Sequence, residues 1–201
     1  MYNGENMEHK HHGKSSAGYL DSEEILTELN LRGNETFMDL GCGDGYISIK
    51  AINDYLPDGI VYAVDVYDGA INALNALKEE NNIENLIVIE ADVTEGISDL
   101  KDCSIDVVLM LNVFHGFQDI ETRTKVIKEL SRLIKDDGRI AIMDFRPIEW
   151  SFGPPKEIKC SPNELEELFS KHGLKKVHLN ENMGQKSTES NSHYMIIFEK
   201  E

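Results

Sequence analysis

The sequence of 201 residues fits one ordinary domain with a short appendage, and its 40% hydrophobic and 28% charged residues are typical of a globular protein. It has 20 Lys and Arg residues against 37 Asp and Glu residues, and the formal charge of −17 disfavours binding to nucleic acid or to an anionic membrane surface. No apolar run approaches the ~20 residues that span a bilayer, and three widely spaced cysteines indicate reduced thiols in a cytoplasmic protein.

Residues 1–20 are polar, show no apolar periodicity and include His9, His11 and His12. Imidazole is a good ligand for transition metals, so these histidines suggest a metal site. No cysteine or carboxylate array accompanies them at regular ligand spacing, however. We therefore predict a polar N-terminal arm over residues 1–20 and assign no metal.

From position 21 onward the sequence alternates between helical and strand-like periods. Asp21 and Glu24 are the two members of a predicted capping box, and an apolar helical face follows them. Short apolar runs without strict alternation predict strands covered on both faces, at residues 36–40, 60–64, 86–90, 105–111 and 139–145. Helical spacing separates them at residues 46–53, 69–80 and 120–134, and residues 91–104 have room for one short helix. This alternation predicts a doubly wound α/β sheet.

The last third of the chain has a different pattern. Residues 146–160 contain three prolines and are predicted to form a long loop. Ser161 caps a predicted helix that starts at Pro162 and runs to about position 171. Two further strands, at residues 174–179 and 193–199, have no helix between them, so we expect them to be antiparallel. No linker divides the chain, and we predict a single domain over residues 21–201.

The most informative segment follows the first strand and reads Asp39-Leu-Gly41-Cys-Gly43-Asp-Gly45. Glycines at such a turn let a ligand approach the backbone closely, and the free N–H groups of the next helix suit a negatively charged or carboxylate-bearing group. The second strand ends at Asp65, whose carboxylate can accept hydrogen bonds from both hydroxyls of a ribose. The third strand is followed by Asp92, at the same edge of the sheet, where it can contact a base.

The spacing of the glycines distinguishes between nucleotide ligands. A dinucleotide fingerprint requires G-x-G-x-x-G, whereas this loop has G-x-G-x-G. Asp39, two residues before the first glycine, would repel a pyrophosphate but attract the ammonium of an amino acid. A tight turn with solvated acids is the alternative, and acids at the ends of three successive strands favour the ligand.

These motifs resemble those of class I S-adenosylmethionine-dependent methyltransferases, over about residues 21–199. The resemblance implies a three-layer α/β sandwich with a seven-stranded, mostly parallel sheet of order 3-2-1-4-5-7-6, its last strand antiparallel. By the resemblance, Asp39 orients the methionine ammonium, Asp65 binds the ribose, Asp92 contacts the adenine amine, and Val66 and Val93 sandwich the adenine ring. The full set that it assigns to the cofactor is Asp39, Gly41, Cys42, Gly43, Gly45, Asp65, Val66, Asp92, Val93 and Asn112.

The acceptor is expected beyond the fourth strand, where Asn112 faces the cofactor and His115 is a candidate general base or acceptor ligand. This segment lacks the Asn-Pro-Pro-aromatic motif of enzymes that methylate nucleic-acid bases, and it resembles the type-11 branch instead. Arg146 is a candidate partner for an anionic acceptor, and Trp150 and Phe152 are candidates for closing over an apolar one. The alternatives are a surface ion pair for Arg146 and ordinary packing for Trp150.

The predicted function is transfer of a methyl group from S-adenosylmethionine to a small-molecule acceptor, with S-adenosylhomocysteine as the product. In related methyltransferases the N-terminal segment folds over the cofactor, so we expect Tyr19 and the arm to act as a lid. Two alternatives stay open: a cofactor-binding protein without turnover, and a nicotinamide oxidoreductase. The pattern does not identify the acceptor, the methylated atom or the oligomeric state, nor whether the arm's histidines bind a metal.

Overall fold

The computed structural model describes residues 15–201, so His9, His11 and His12 lie outside the described residues. The strands are β1 (Thr36–Leu40), β2 (Ile60–Asp65), β3 (Leu86–Glu90), β4 (Ile105–Leu111), β5 (Ile134–Phe145), β6 (Leu174–Lys186) and β7 (Asn191–Lys200). The α-helices are α1 (Ser22–Leu29), α2 (Tyr46–Asp54), α3 (Asp68–Asn81), α4 (Ile120–Leu133) and α5 (Pro162–Ser170). Within residues 15–201, no helix is both long and apolar enough to cross a membrane.

One seven-stranded sheet, in the order β3-β2-β1-β4-β5-β7-β6, organises the described chain. Neighbouring strands from β1 to β5 are parallel, whereas β7 runs antiparallel to both β5 and β6. A short turn at residues 187–190 joins β6 to β7, and a connection of that length permits only an antiparallel pair. The predicted fold and strand order are confirmed.

Each face of the sheet carries its own buried cluster, because successive side chains of a strand point to opposite faces. Phe37 of β1 packs in the cluster with α1 and α2, and the next residue, Met38, packs in the cluster with α4 and α5. On the second face, the Phe169 ring of α5 stacks on the Phe198 ring of β7 with their centroids 4.1 Å apart. Helices on both faces produce the three layers, so the parallel strands are buried on both sides.

Three segments differ from the prediction in type or by more than two residues at a boundary. β5 starts at Ile134 instead of position 139, and β6 continues to Lys186 instead of stopping at position 179. The added part of β6 is mostly exposed at the edge of the sheet, so it shows no apolar alternation by which a sequence pattern would reveal it. Residues 91–104 form turns instead of a short helix, and Arg132 of α4 donates to two carbonyls there, at 3.0 and 3.2 Å.

The two predicted helix caps have different outcomes. Ser161 and Glu164 form a complete capping box at the start of α5. At α1 the Asp21 side chain accepts from the Glu23 N–H at 2.9 Å, but Glu24 does not return a bond to the cap. The Glu24 carboxylate accepts from the N–H of Gly184 in β6 at 3.1 Å instead, so the predicted capping box at Asp21 is wrong. The tertiary contact ties α1 to the β6–β7 hairpin.

We expect Ser161→Ala to lower the free energy of unfolding by about 1 kcal/mol, because α5 loses the hydroxyl that accepts from the Glu164 N–H. Urea denaturation measures this difference. Ser170→Ala, at the exposed end of the same helix, is the matched control and should change stability by less than about 0.5 kcal/mol. Equal losses in the two variants would contradict a stabilising role for the cap.

Candidate functional site

A cavity of about 820 Å³ opens where the carboxyl ends of β1, β2, β3 and β4 meet. Parallel strands place their carboxyl ends at one edge of the sheet, and α/β proteins bind ligands there. Of the predicted cofactor residues, those that line the cavity are Asp39, Gly41, Cys42, Gly43, Asp65, Val66, Asp92, Val93 and Asn112. Gly45 is not in the lining, although its neighbours Asp44 and Tyr46 are.

The three glycines of the loop after β1 all have left-handed backbones, with φ between 52° and 79°. The atoms around them indicate two different roles, close packing within the protein and access for a ligand. A Cβ at Gly41 would lie 2.3 Å from a Val113 methyl, and a Cβ at Gly45 would lie 2.4 Å from a Leu74 methyl, so packing requires glycine at both positions. A Cβ at Gly43 would meet no protein atom within 4 Å and lies on the cavity lining. Only Gly43 leaves its Cβ position free for a ligand to approach the backbone.

Asp65, at the end of β2, connects this glycine loop to the next loop. One carboxylate oxygen accepts from the Gly43 N–H at 2.8 Å, and the other accepts from the Tyr67 N–H at 2.9 Å. A carboxylate has about four acceptor positions, so two remain for hydroxyl donors in the cavity. The open cradle at Gly43 and these spare acceptor positions fit a ribose-bearing cofactor.

Two valines, predicted to contact the adenine, line the cavity near the ends of β2 and β3. Val66 is 58% exposed, an unusual state for a large aliphatic side chain, whereas Val93 is buried. Both line the cavity, so an aromatic base placed between them would remove apolar surface from water. Asp92 lies beside them, and its carboxylate accepts from the Thr94 N–H at 2.8 Å, which fixes the loop after β3.

Asp39 is buried at the end of β1, and the Ser48 hydroxyl donates to its carboxylate at 2.6 Å. Burial, together with the nearby carboxylates of Asp65 and Asp44, raises the pKa of Asp39 to about 6, although the hydrogen bonds from Ser48 lower it. A bound ammonium would stabilise the ionised carboxylate, which matches the predicted role of Asp39. Burial also raises the pKa of the Cys42 thiol well above its usual range, so this cysteine stays neutral and unreactive.

On the opposite side of the cavity, His115 pairs with Asp144 at the end of β5. The Nδ1 atom of His115 lies 2.8 Å from one Asp144 oxygen, and the His115 backbone N–H donates to the other oxygen at 3.0 Å. The Phe145 N–H also donates to Asp144, at 2.7 Å. The buried carboxylate therefore holds the proton of the imidazole on Nδ1 and leaves the lone pair of Nε2 as a base.

Aromatic rings form the wall beside His115. Tyr19 contacts the edge of Phe152 with the ring centroids 5.0 Å apart, and Phe145 lies 5.8 Å from Phe152. All three residues line the cavity. The wall thus combines the N-terminal segment with the end of β5 and the loop after it.

Two predicted acceptor residues lie elsewhere. Arg146 lines a separate cleft of about 230 Å³ and pairs with Glu181 at 3.5 Å. Trp150 is not in the cavity lining and contacts Phe152 edge-on, with the ring centroids 6.2 Å apart. Sequence reasoning gave no role to Asp144 or Phe145, although the end of the fifth strand was a signal by which Asp144 could have been found.

The fold and the site define an α/β protein that binds a nucleoside bearing an amino-acid group. The chain matches the model of the methyltransferase domain family over residues 31–200, and it belongs to that family. Its cofactor is S-adenosylmethionine, as the resemblance of the loop predicted. Bound there, this cofactor would be held by Asp39, the backbone at Gly43, Asp65 and Asp92.

Known relatives share the domain at modest identity. The chain is 29% identical over 150 residues to 27-O-demethylrifamycin SV methyltransferase from Amycolatopsis mediterranei, covering 71% of this chain and 52% of that protein. It superposes on a SAM-dependent methyltransferase from Aquifex aeolicus with a TM-score of 0.74 and 24% identity, over 89% and 88% of the two chains. A putative type 11 methyltransferase from Sulfolobus solfataricus gives a TM-score of 0.66 and 25% identity, over 90% and 93%. The chain spans about half the length of the curated relatives it matches.

We expect Gly43→Ala to weaken S-adenosylhomocysteine binding by about tenfold or more, because its Cβ points into space that the protein leaves open. Isothermal titration calorimetry measures the affinity. Gly173→Ala is the matched control, since Gly173 also has a left-handed backbone and open space around its Cβ but lies outside the cavity. The two variants should lose similar stability through backbone strain, and only Gly43→Ala should lose affinity. Retained affinity in Gly43→Ala would show that the turn is only structural.

We expect S-adenosylhomocysteine affinity to fall as the pH is lowered through about 6, since protonation of Asp39 removes the charge that attracts the ammonium. The fall approaches about tenfold per pH unit at lower pH. The raised pKa has the opposite effect on stability: the free energy of unfolding decreases as the pH rises from about 4 through 6. Asp39→Asn should remove both dependences, and calorimetry and urea denaturation across this range measure them. An affinity of Asp39→Asn that falls as steeply as that of the wild type would contradict the assignment.

Proposed function

We propose that this protein transfers the methyl group of S-adenosylmethionine to a hydroxyl of a small, uncharged molecule, with His115 as the general base. The observation that carries the proposal is the His115–Asp144 pair, because His115 lines the same cavity as the cofactor residues and the buried Asp144 carboxylate orients its ring. A cofactor site alone requires no such pair, because the acids and the glycine loop assigned to the cofactor lie at the ends of β1, β2 and β3 or directly after them.

The bound cofactor supplies an electrophilic methyl group, and the residues of the protein align an acceptor with it. Direct displacement needs the acceptor atom in line with the bond that breaks, so catalysis depends mainly on proximity and orientation. Tyr19, Phe145 and Phe152 form the wall against which an acceptor would be held. The same wall would shield one side of a bound acceptor from water.

A hydroxyl acceptor must lose its proton during the transfer, and in this proposal His115 takes it at Nε2. Asp144 would then stabilise the imidazolium, because its carboxylate lies 2.8 Å from Nδ1 and is buried. The relative from Amycolatopsis mediterranei supports oxygen as the methylated atom, since its substrate is named as an O-demethyl compound. Carbon, nitrogen and sulfur acceptors stay alternatives.

The charges of the cavity support an uncharged acceptor. The lining within the described chain contains four carboxylates and neither lysine nor arginine. Arg146, the candidate for an anionic acceptor, lies in the separate cleft and is paired with Glu181. An anion would therefore find no lysine or arginine in the lining to pair with, whereas a flat apolar molecule would pack against the rings.

The second candidate function is a cofactor-binding protein without turnover. Such a protein would keep the residues after β1, β2 and β3 but would have no use for a buried carboxylate that orients a histidine. A nicotinamide oxidoreductase would require the dinucleotide spacing of glycines that the loop lacks.

We expect His115→Ala to lower the rate of methyl transfer to neutral phenols by about a hundredfold or more, because the general base is lost. The assay is radiolabelled methyl transfer from S-adenosylmethionine to a panel of small phenols and alcohols. The affinity for S-adenosylhomocysteine should stay unchanged. The loss of rate should be smaller with nitrophenols, because these are already ionised and need no base to remove a proton. His172→Ala, a change of histidine outside the cavity, is the matched control.

Two results would contradict the proposal. A defect of equal size for neutral and ionised phenols would exclude a role in proton removal. Methylation of proteins in a cell extract, with no small molecule methylated, would show a macromolecular acceptor.

A further inference from the structure

Asn112, directly after β4, has a left-handed backbone with φ of 59°, and its side chain is used by the protein. Its Nδ2 group donates to the Tyr19 hydroxyl at 3.2 Å and to the Ser16 hydroxyl at 3.4 Å. Its Oδ1 atom lies 3.0 Å from Nε2 of His193 in β7. The amide therefore connects the N-terminal segment to strand β7, and both its nitrogen and its oxygen have a hydrogen-bond partner.

His193 is fully buried, and hydrogen bonds fix both of its ring nitrogens. Nε2 faces Asn112, and Nδ1 lies 2.7 Å from the Ser192 hydroxyl, which in turn accepts from the Gln185 N–H at 2.8 Å. Burial lowers the pKa of His193 to about 4, so the ring is neutral at ordinary pH and donates to Asn112 from Nε2. The orientation of the Asn112 amide is thus determined by a chain of bonds that starts in the β6–β7 hairpin.

The same hairpin reaches the N-terminal segment by a second route. The Gln185 side chain donates to the Tyr19 carbonyl at 3.3 Å. Gly184 allows the close packing, because a Cβ there would lie 2.7 Å from the His193 ring and 3.0 Å from Leu20. The network joins β4, β7 and the segment before α1 at the mouth of the cavity.

Leu20 is the buried anchor of the segment of residues 15–20. Leu20 is buried, and its carbonyl accepts from the Tyr46 hydroxyl at 3.0 Å. Residues 15–19 are half-buried or exposed, and they are held by the Asn112 amide, by the Gln185 side chain, and by contacts of the Tyr19 ring with Phe145, Phe152 and His193. Loss of the Asn112 bridge would therefore weaken the hold on these residues while the anchor at Leu20 stays in place.

We propose that His193 is a positioning residue which, through Asn112, holds residues 15–20 closed over the cofactor cavity and so slows cofactor release. The proposal rests on the cofactor site of the proposed function but not on the acceptor. We call residues 15–20 the cover. The proposal also changes the role of Asn112: its amide is hydrogen-bonded to Tyr19 and His193, so its main role is to hold the cover in place and not to bind the cofactor.

Two observables report on the cover. The N–H groups of Tyr19 and Leu20 both donate to the Ser16 carbonyl, at 3.1 and 2.9 Å, so their hydrogen exchange measures opening of this turn. Trp150 is the only tryptophan and lies against Phe152, which contacts Tyr19, so its fluorescence can follow S-adenosylhomocysteine dissociation in a stopped-flow experiment. The exchange measurement requires no ligand.

In the full-length chain, His193→Met should speed the exchange of these two amides and the dissociation of S-adenosylhomocysteine by about tenfold each, the factor expected for one lost hydrogen bond. His193→Gln retains an N–H group that can donate to Asn112, so it should restore both rates. Asn112→Gly keeps the left-handed backbone without the amide and should reproduce His193→Met. Asn82→Gly, at a left-handed helix end away from the cavity, is the matched control and should behave as the wild type.

Wild-type rates of exchange and dissociation in folded His193→Met and Asn112→Gly would overturn the proposal. Failure of His193→Gln to restore the rates would also overturn it, because a merely structural role of the buried ring would then explain the loss. Should His193→Met fail to fold, Asn112→Gly decides the question. A wild-type protein that does not bind S-adenosylhomocysteine would contradict the cofactor site, while ligand-free exchange would still decide whether the cover is held by His193.

Discussion

The Asp65 carboxylate is the contact on which the cofactor side of the cavity depends. It accepts one backbone N–H from the loop after β1 and one from the loop after β2, so it fixes the spacing of two strand ends that are not adjacent in sequence. Because both bonds come from the backbone, they constrain the loops whatever side chains these carry. The carboxylate that shapes the loops is also the group with spare acceptor positions for a ribose.

Asp144 has the corresponding role on the acceptor side. Its carboxylate accepts from the backbone N–H groups of His115 and Phe145, and it orients the His115 ring as well. Full burial makes this arrangement stable only while the donors are in place, since an unpaired buried carboxylate is costly. The positions of β4 and β5 in the sheet therefore set the geometry of His115, and the loop after β4 has little freedom to place the base elsewhere.

The cofactor side could be predicted from sequence because its residues follow short parallel strands, and each strand end is marked by an apolar run and an acid. Asp39, Asp65 and Asp92 are found in this way, and the order of the sheet then brings them together. The acceptor side could not be predicted as well. His193 lies on the antiparallel strand β7, and its partner Asn112 is 81 residues away, so no local pattern reveals the contact. The prediction also ends the polar edge strand β6 too early, because exposure removes the apolar alternation on which the prediction relies.

The cofactor side and the acceptor side of the cavity differ in charge as well as in position. The acids Asp39, Asp44, Asp65 and Asp92 all belong to β1 or to the ends of the first three strands, whereas the wall on the acceptor side consists of uncharged rings beside His115. Transfer of a methyl group from a sulfonium to an uncharged acceptor shifts positive charge away from the donor sulfur, toward the acceptor and the base that takes its proton, as the transition state forms. Carboxylates next to the reacting atoms would favour the charged ground state and oppose the reaction, because only interactions that strengthen in the transition state accelerate it. In the proposed reaction the acids would bind the amino-acid, ribose and adenine groups of the donor and the uncharged rings would face the acceptor, so donor binding would not carry that cost to the rate.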